Sequence, residues 1–174
     1  MTVLPDLVQT FRFSVDLTRS SSTEPQGDWP SSLGTGGFSE CSGLTLEADV
    51  KEILEGGFNF GIVRRTGRVK LEPLVLKRGM FLKNKGGLAD STLWDWLSAT
   101  VYGLLPIPRY DGVVTVMDPS NKNVTATWCF DRGLPIKVAG PSLNAKTGEV
   151  AIEELHIAHE GLRLGPPMSA GANA

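Results

Sequence analysis

Thr10-Phe11-Arg12-Phe13-Ser14-Val15-Asp16-Leu17 decides the fold class. Phe11, Phe13, Val15 and Leu17 fall on one side of an extended chain, with Arg12, Ser14 and Asp16 on the other. That two-residue period is the signature of a half-buried β-strand. After it, Thr18 to Gly37 turns to Ser, Pro and Gly: Ser20-Ser21-Ser22, then Pro25 to Pro30, then Gly34 to Gly37. Such a stretch reads as a long flexible loop inserted behind the first strand, not as a linker between domains. Trp29 inside it is either a docking anchor for a partner or a lid on the domain's own surface.

Further along, Phe38 to Ile53 reads as extended, and Gly43 fits a bulge or sharp bend where a strand leaves one sheet for another. Beyond that glycine Leu44, Leu46, Ala48 and Val50 face one way, and Thr45, Glu47, Asp49 and Lys51 the other. Gly56-Gly57 ends the segment, a loop through Gly61 carries a basic cluster at Arg64, Arg65 and Arg68, and strand character resumes from Val69 to Leu76. One helix is predicted. Asp90 or Ser91 caps its start, Leu93, Trp96, Leu97, Thr100 and Val101 keep helical spacing, and Gly103 and Pro106 end it. Asp111–Asp118 and Val124–Arg132 form a hairpin around Pro119-Ser120-Asn121, with Pro135–Ala139 as a further short extended piece. The last element reads two ways. Ile152, Leu155, His159 and Leu162 sit at helical spacing, whereas Val150 and Ile152 followed by Leu155 and Ile157 fit two strand phases offset by a bulge at Glu153-Glu154.

These elements add up to a mainly β, antiparallel domain with one short helix, either a barrel or a two-sheet sandwich. The 174 residues fit one domain, 1–164, large enough to bury a core without a disulfide or metal staple, followed by a disordered tail at 165–174. With 20 Gly and 11 Pro the chain is too turn-rich for a helical bundle. A net charge of -2 gives no global drive toward nucleic acid. Cys41 and Cys129 have no metal or redox spacing around them and read as two buried free thiols, with a bridge between them the alternative. Met1 to Phe11 contains Pro5 and Asp6 where a signal peptide needs a basic end and an apolar stretch. Nowhere do about 18 apolar residues run together, so no membrane insertion is expected.

Few residues offer chemistry. Both histidines lie in the cluster Glu153, Glu154, His156, His159 and Glu160. On a helix, His156 and His159 would share a face and could bind zinc beside Glu153; on a strand their odd spacing separates them. The Gly56–Gly61 loop lacks the Lys-Ser/Thr of a phosphate-binding loop, and no serine stands in a G-x-S-x-G context. The basic run from Arg64 to Lys70, with Glu52, Glu55 and Glu72 nearby, reads as a solvated or subunit-facing patch.

Several segments, in order, resemble the phage tail tube family, the inner-tube proteins of contractile phage tails and of related extracellular contractile injection systems. They are Phe11 to Val15, Gly37 to Leu44, Glu52 through Glu55-Gly56-Gly57, Leu74 to Gly79, Leu93 to Trp96 and Trp128-Cys129-Phe130. Pro135, Lys137, Gly140-Pro141, Leu143-Asn144-Ala145 and Ile152 to Leu155 complete the set. The resemblance implies a two-sheet β-barrel with one flanking helix, in hexameric rings that stack into a hollow tube. It implies a contractile sheath, spike, hub and baseplate proteins as partners, and a tape-measure protein, cargo or DNA in the lumen. It further implies assembly in the bacterial cytoplasm, no cofactor and no catalytic residue. It makes the last element a strand, which removes the metal site.

Closing a ring consumes open strand edges, and stacking needs a projecting element. The glycine-bent, charged segment holding Lys51, Glu52, Glu55, Gly56, Gly57, Arg64, Arg65 and Arg68 is the expected arm between rings. The 18–37 insertion and the Pro/Gly tail depart from the family pattern. They leave open a main tube subunit or a baseplate-proximal, tube-initiating adaptor ring that joins spike to tube, with Trp29 as its anchor. A metal-dependent hydrolase at His156 and His159 is the alternative from another class.

Overall fold

The opening alternation becomes β1 (Phe13–Arg19), which buries Val15 and Leu17 and exposes Ser14 and Asp16. A computed structural model describes residues 7–21, 25, 27–34, 37–53, 61–83, 87–146 and 148–165. Apart from Gly165, the expected tail lies outside them, as does the Gly56-Gly57 bend. Within the 18–37 segment, β2 (Ser32–Leu33) pairs with Leu17 and Thr18 of β1, and the Tyr110 hydroxyl donates to the Pro30 carbonyl at 2.9 Å. β3 (Glu40–Ser42) follows, and then Gly43 turns the chain with φ +85°. A Cβ there would stand 2.2 Å from the Pro73 carbonyl oxygen, so both the conformation and the close approach require glycine. As its position predicts, Gly43 marks the exit from one sheet into another.

β4 (Leu46–Ile53) and β5 (Val63–Leu71) form a two-stranded antiparallel sheet of their own. Arg64, Arg65 and Arg68 therefore lie on a strand and not in a loop, which corrects the sequence expectation. The loop reading missed this because the glycines that punctuate the segment hide a strand whose residues have no buried face. β6 (Leu74–Gly79) buries alternate residues after the Glu72-Pro73 break. The helix α1 (Thr92–Val101) buries Leu93, Trp96 and Ala99. Ser91 occupies the N-cap position without a side-chain cap, whereas the Asp90 carboxylate accepts the Thr92 backbone N–H at 3.2 Å.

β7 (Tyr110–Met117) and β8 (Val124–Ala139) form the expected hairpin, but Pro135–Ala139 continues β8 instead of standing apart. The strand survives its proline because a register shift falls between Pro135 and Lys137. At the hairpin tip Asp118 accepts the Lys122 backbone N–H, the Ser120 hydroxyl and the Asn123 amide, each at 2.9 Å. Those bonds, the Lys122 N–H first, hold its carboxyl down at about 2. A group depressed when folded stabilises at neutral pH and loses that contribution as pH falls through its folded value. Asp118→Ala is therefore expected to lower Tm at pH 7, with the deficit vanishing near pH 2. Thermal scans of both proteins across that range check it, and a deficit independent of pH would refute it.

The chain ends with β9 (Ile152–Ala158) and β10 (Gly161–Leu164), both strands. The bulge expected at Glu153-Glu154 is absent. β9 pairs with β6 without a break from Gly79↔Ile152 to Leu74↔Ile157, so Glu153, Leu155 and Ile157 share the buried face. Hydrophobic patterning misplaced the phase because a glutamate occupies a core position.

Among the described residues the strands form an open path, β2-β1-β7-β8-β9-β6-β3, with β10 also on β8. The barrel is thus not closed. It is two antiparallel sheets sharing β8, which kinks at Arg132 (φ 53°) before Gly133. The first half of β8 pairs with β7 and β10, and the second half with β9. Trp96, Tyr110, Phe130, Leu17, Leu74, Leu93 and Ile157 fill the core, with the Trp96 and Tyr110 rings edge-on at 5.0 Å. Both cysteines are free thiols, and burial pushes Cys41 up to about 11.

Candidate functional site

The hairpin β4–β5 is amphipathic, yet among the described residues neither face is covered. Its register puts Leu46 beside Leu71, Ala48 beside Val69 and Glu52 beside Arg64. Leu46, Ala48 and Val50, with Val69 and Leu71, make one apolar stripe, along which Val50 is 63% and Val69 54% exposed. The shift between Ala48 and Val50 places Asp49 against Gly67, whose missing Cβ leaves room for the Asp49 carbonyl. Glu52 accepts Arg64 at 3.1 Å and Asp49 accepts Lys70 at 2.8 Å, both pairs in solvent. Exposed pairs of this kind set orientation more than stability. The structure thus brings Lys51, Glu52, Arg64, Arg65 and Arg68 together on one projecting hairpin, while Glu55, Gly56 and Gly57 lie outside the described residues.

The first sheet has two bare borders. β2 covers only Leu17 and Thr18 of β1, so the edge of Phe13 to Asp16 that faces away from β7 has no strand partner among the described residues. At the other side of the same sheet, β10 pairs with β8 alone among the described residues. Unpaired strand edges are templates for a further strand.

Trp29 is half-buried against the core cluster, and its carbonyl accepts the Arg19 guanidinium at 2.9 Å. It borders a groove of about 320 Å³ shared with Thr92, Asp95 and Leu104 beside α1.

His156 and His159 point to opposite sides. The His159 ring is buried, near the Phe130 ring and bonded to the Glu72 carbonyl, whereas His156 contacts Glu154 and Lys137 on the outward face. Hydrogen bonds from His156 and then Lys137 hold the Glu154 carboxylate below its ordinary range. Among the described residues no group of three or more His, Cys, Asp or Glu is placed to hold a metal ion.

One feature the sequence reading overlooked lies beneath α1. Arg78, 0% exposed, donates to Glu153, 1% exposed, at 2.6 Å and to Asp90 at 3.0 Å. Trp94 Nε1 donates to the second Glu153 oxygen at 3.1 Å, and the Phe81 ring lies 5.8 Å from the guanidinium. Burial raises the Asp90 carboxyl, but bonds from Thr92 and Arg78 outweigh it and hold the group below its usual range. The network joins α1 to the second sheet.

Solved structures share this architecture. A chain of the PVC extracellular contractile injection system sheath–tube complex, in its extended state, superimposes with TM-score 0.69 at 18% identity, covering 91% of each chain. The tube-terminating cap of the anti-feeding prophage gives 0.71 at 18% identity over 96% of both chains. Its baseplate gives 0.67 at 19% identity, covering 92% of this chain and 97% of that one. No match was found among curated protein sequences. The model of the T4-like virus tail tube protein gp19 family matches residues 9–163, and the chain belongs to that family of structural tube proteins.

Proposed function

We propose that the chain builds the inner tube of a contractile tail or injection system as hexameric rings stacked around a lumen. The observation that carries this reading is the pair of bare borders on the first sheet. β1 of one copy can pair with β10 of the next, and only a closed ring leaves no edge over. The face of that sheet turned away from the core carries Ser14, Asp16, Thr18, Thr115 and Thr127, and in such a ring it lines the bore. Sheath, spike, hub and baseplate proteins are then the outer and terminal partners, and cargo, a tape-measure protein or DNA the occupant of the lumen. Assembly takes place in the bacterial cytoplasm, and the work is mechanical, with no catalysis.

The arm links one ring to the next. Electron microscopy of the purified chain at high concentration tests the whole reading: rings and tubes are expected, and a persistent monomer would refute it. Deleting Glu55–Arg65 tests the arm. Rings that no longer stack are the expected outcome, and tubes of ordinary length would remove the arm from this role. Trp29 serves as a lid that fastens the 18–37 segment to α1. A baseplate adaptor role would instead show as a single ring per particle where a tube subunit shows many.

A further inference from the structure

The arm joins the rest of the chain by two crossings. Gly43 to Thr45 leads from β3 into β4, and Glu72-Pro73 leads from β5 into β6. Between them the pairing lapses: β3 and β6 end at Ser42↔Val75, and the arm's own register begins at Leu46↔Leu71. The first crossing is fixed by contact, since Leu44 packs against the core and Gly43 lies against the Pro73 carbonyl. The second lies at the margin of the ladder between β6 and β9, which stops at Leu74↔Ile157. Pro73 brings no N–H with which to extend it.

One side chain spans that gap. Two residues beyond Ile157, the His159 ring is 9% exposed and lies 5.7 Å from the Phe130 ring. Its Nε2 stands 3.1 Å from the Glu72 carbonyl oxygen. A carbonyl oxygen only accepts, so the donated proton sits on Nε2. The other nitrogen, Nδ1, is buried and has no hydrogen-bond partner among the described residues. Leaving a buried polar atom unsatisfied costs stability, and a phenyl ring would fill the same space without that cost. What a histidine adds here is the Nε2–H. Among the described residues, no other side chain outside the arm hydrogen-bonds to the arm or to its crossings.

We propose that His159 is the positioning residue of the arm: by pinning the Glu72 carbonyl, it sets the direction in which β4–β5 leaves the body. This is a property of the single folded subunit, so it goes beyond the stacked-ring reading and stands or falls without it. With one crossing packed and the other pinned, the hairpin has one direction. With the second released, it swings about Gly43.

Spin labels on cysteines at Val50 in the arm and Val124 in the body, both exposed, read that direction as a distance distribution. Cys129 is 1% exposed and burial pushes the Cys41 thiol up to about 11, so both native thiols stay unlabelled. Diluting labelled chain in unlabelled chain confines the measurement to single subunits. His159→Phe, which keeps a ring and removes the donor, is expected to widen the distribution about twofold. His159→Gln, whose amide supplies a donor in place of Nε2, is expected to restore the narrow one. A core-filling role would give the opposite order, because phenylalanine fills the site better than glutamine. A His159→Phe distribution as narrow as that of the unmodified residue would overturn the proposal, as would a His159→Gln distribution equally wide. Nitrogen NMR of the chain with labelled histidine tests it without substituting His159. The Nε2–H tautomer is expected, its proton protected from exchange. An Nδ1–H tautomer, or exchange as fast as that of the outward-facing His156, would overturn the proposal.

Discussion

Glu153→Ala is expected to cost about 3–5 kcal/mol of folding stability, a large part of the 5–15 kcal/mol that a domain typically has. The substitution leaves the fully buried Arg78 with Asp90 as its only carboxylate among the described residues, and takes the acceptor from Trp94 Nε1. Arg78 Nη1 already has no hydrogen-bond partner among the described residues, so little solvation remains to offset the loss. Most of the effect comes from the stranded charge. Adding Arg78→Met to the variant should therefore restore part of the stability, a coupling that a double-mutant cycle measures. Urea unfolding of the four proteins provides the numbers. A cost below about 1 kcal/mol for Glu153→Ala would mean that Asp90 alone neutralises Arg78.

Trp96→Ala is expected to cost a similar 3–5 kcal/mol. Trp96 is fully buried at the centre of α1, its Nε1 donates to the Pro108 carbonyl at 2.8 Å, and its ring meets Tyr110 edge-on. Removal opens a cavity between the helix and both sheets and leaves a carbonyl without its donor. For a chain of this length the loss corresponds to a fall in Tm of roughly 10 °C, read by calorimetry. A fall of less than about 2 °C would show that the surrounding side chains collapse into the space. Tyr110 would then no longer count as held by its partner across the core.

Where burial follows the strand period, the fold was legible in the sequence. Val15 and Leu17 in β1, Gly43 at the turn between sheets, and Leu93 with Trp96 in α1 all stand where spacing puts them. The misplacements have separate causes. Glu153 lies inside because Arg78 neutralises it, and a pattern that sorts residues by polarity cannot see a partner 75 positions away. Arg64, Arg65 and Arg68 lie on a strand that buries no face, so they carry no alternation to read. Pro135 marks a break in most strands, yet here it sits beside a register shift within β8. The charge of the β4–β5 hairpin was legible in the sequence. Its apolar stripe was visible as Leu46, Ala48 and Val50, but the orphaned state of that stripe depends on what the rest of the chain fails to cover.

The strand β8 runs without interruption through both sheets, gripped by β7 along one side and by β10 and then β9 along the other. Force pulling lengthwise on it must shear many hydrogen bonds simultaneously, whereas a sideways pull would peel them one after another. A subunit thrust forward in a column would resist best if its load ran parallel to that strand. Its kink at Arg132-Gly133 would then be the point where thrust changes direction, and the first place for mechanical fatigue to appear.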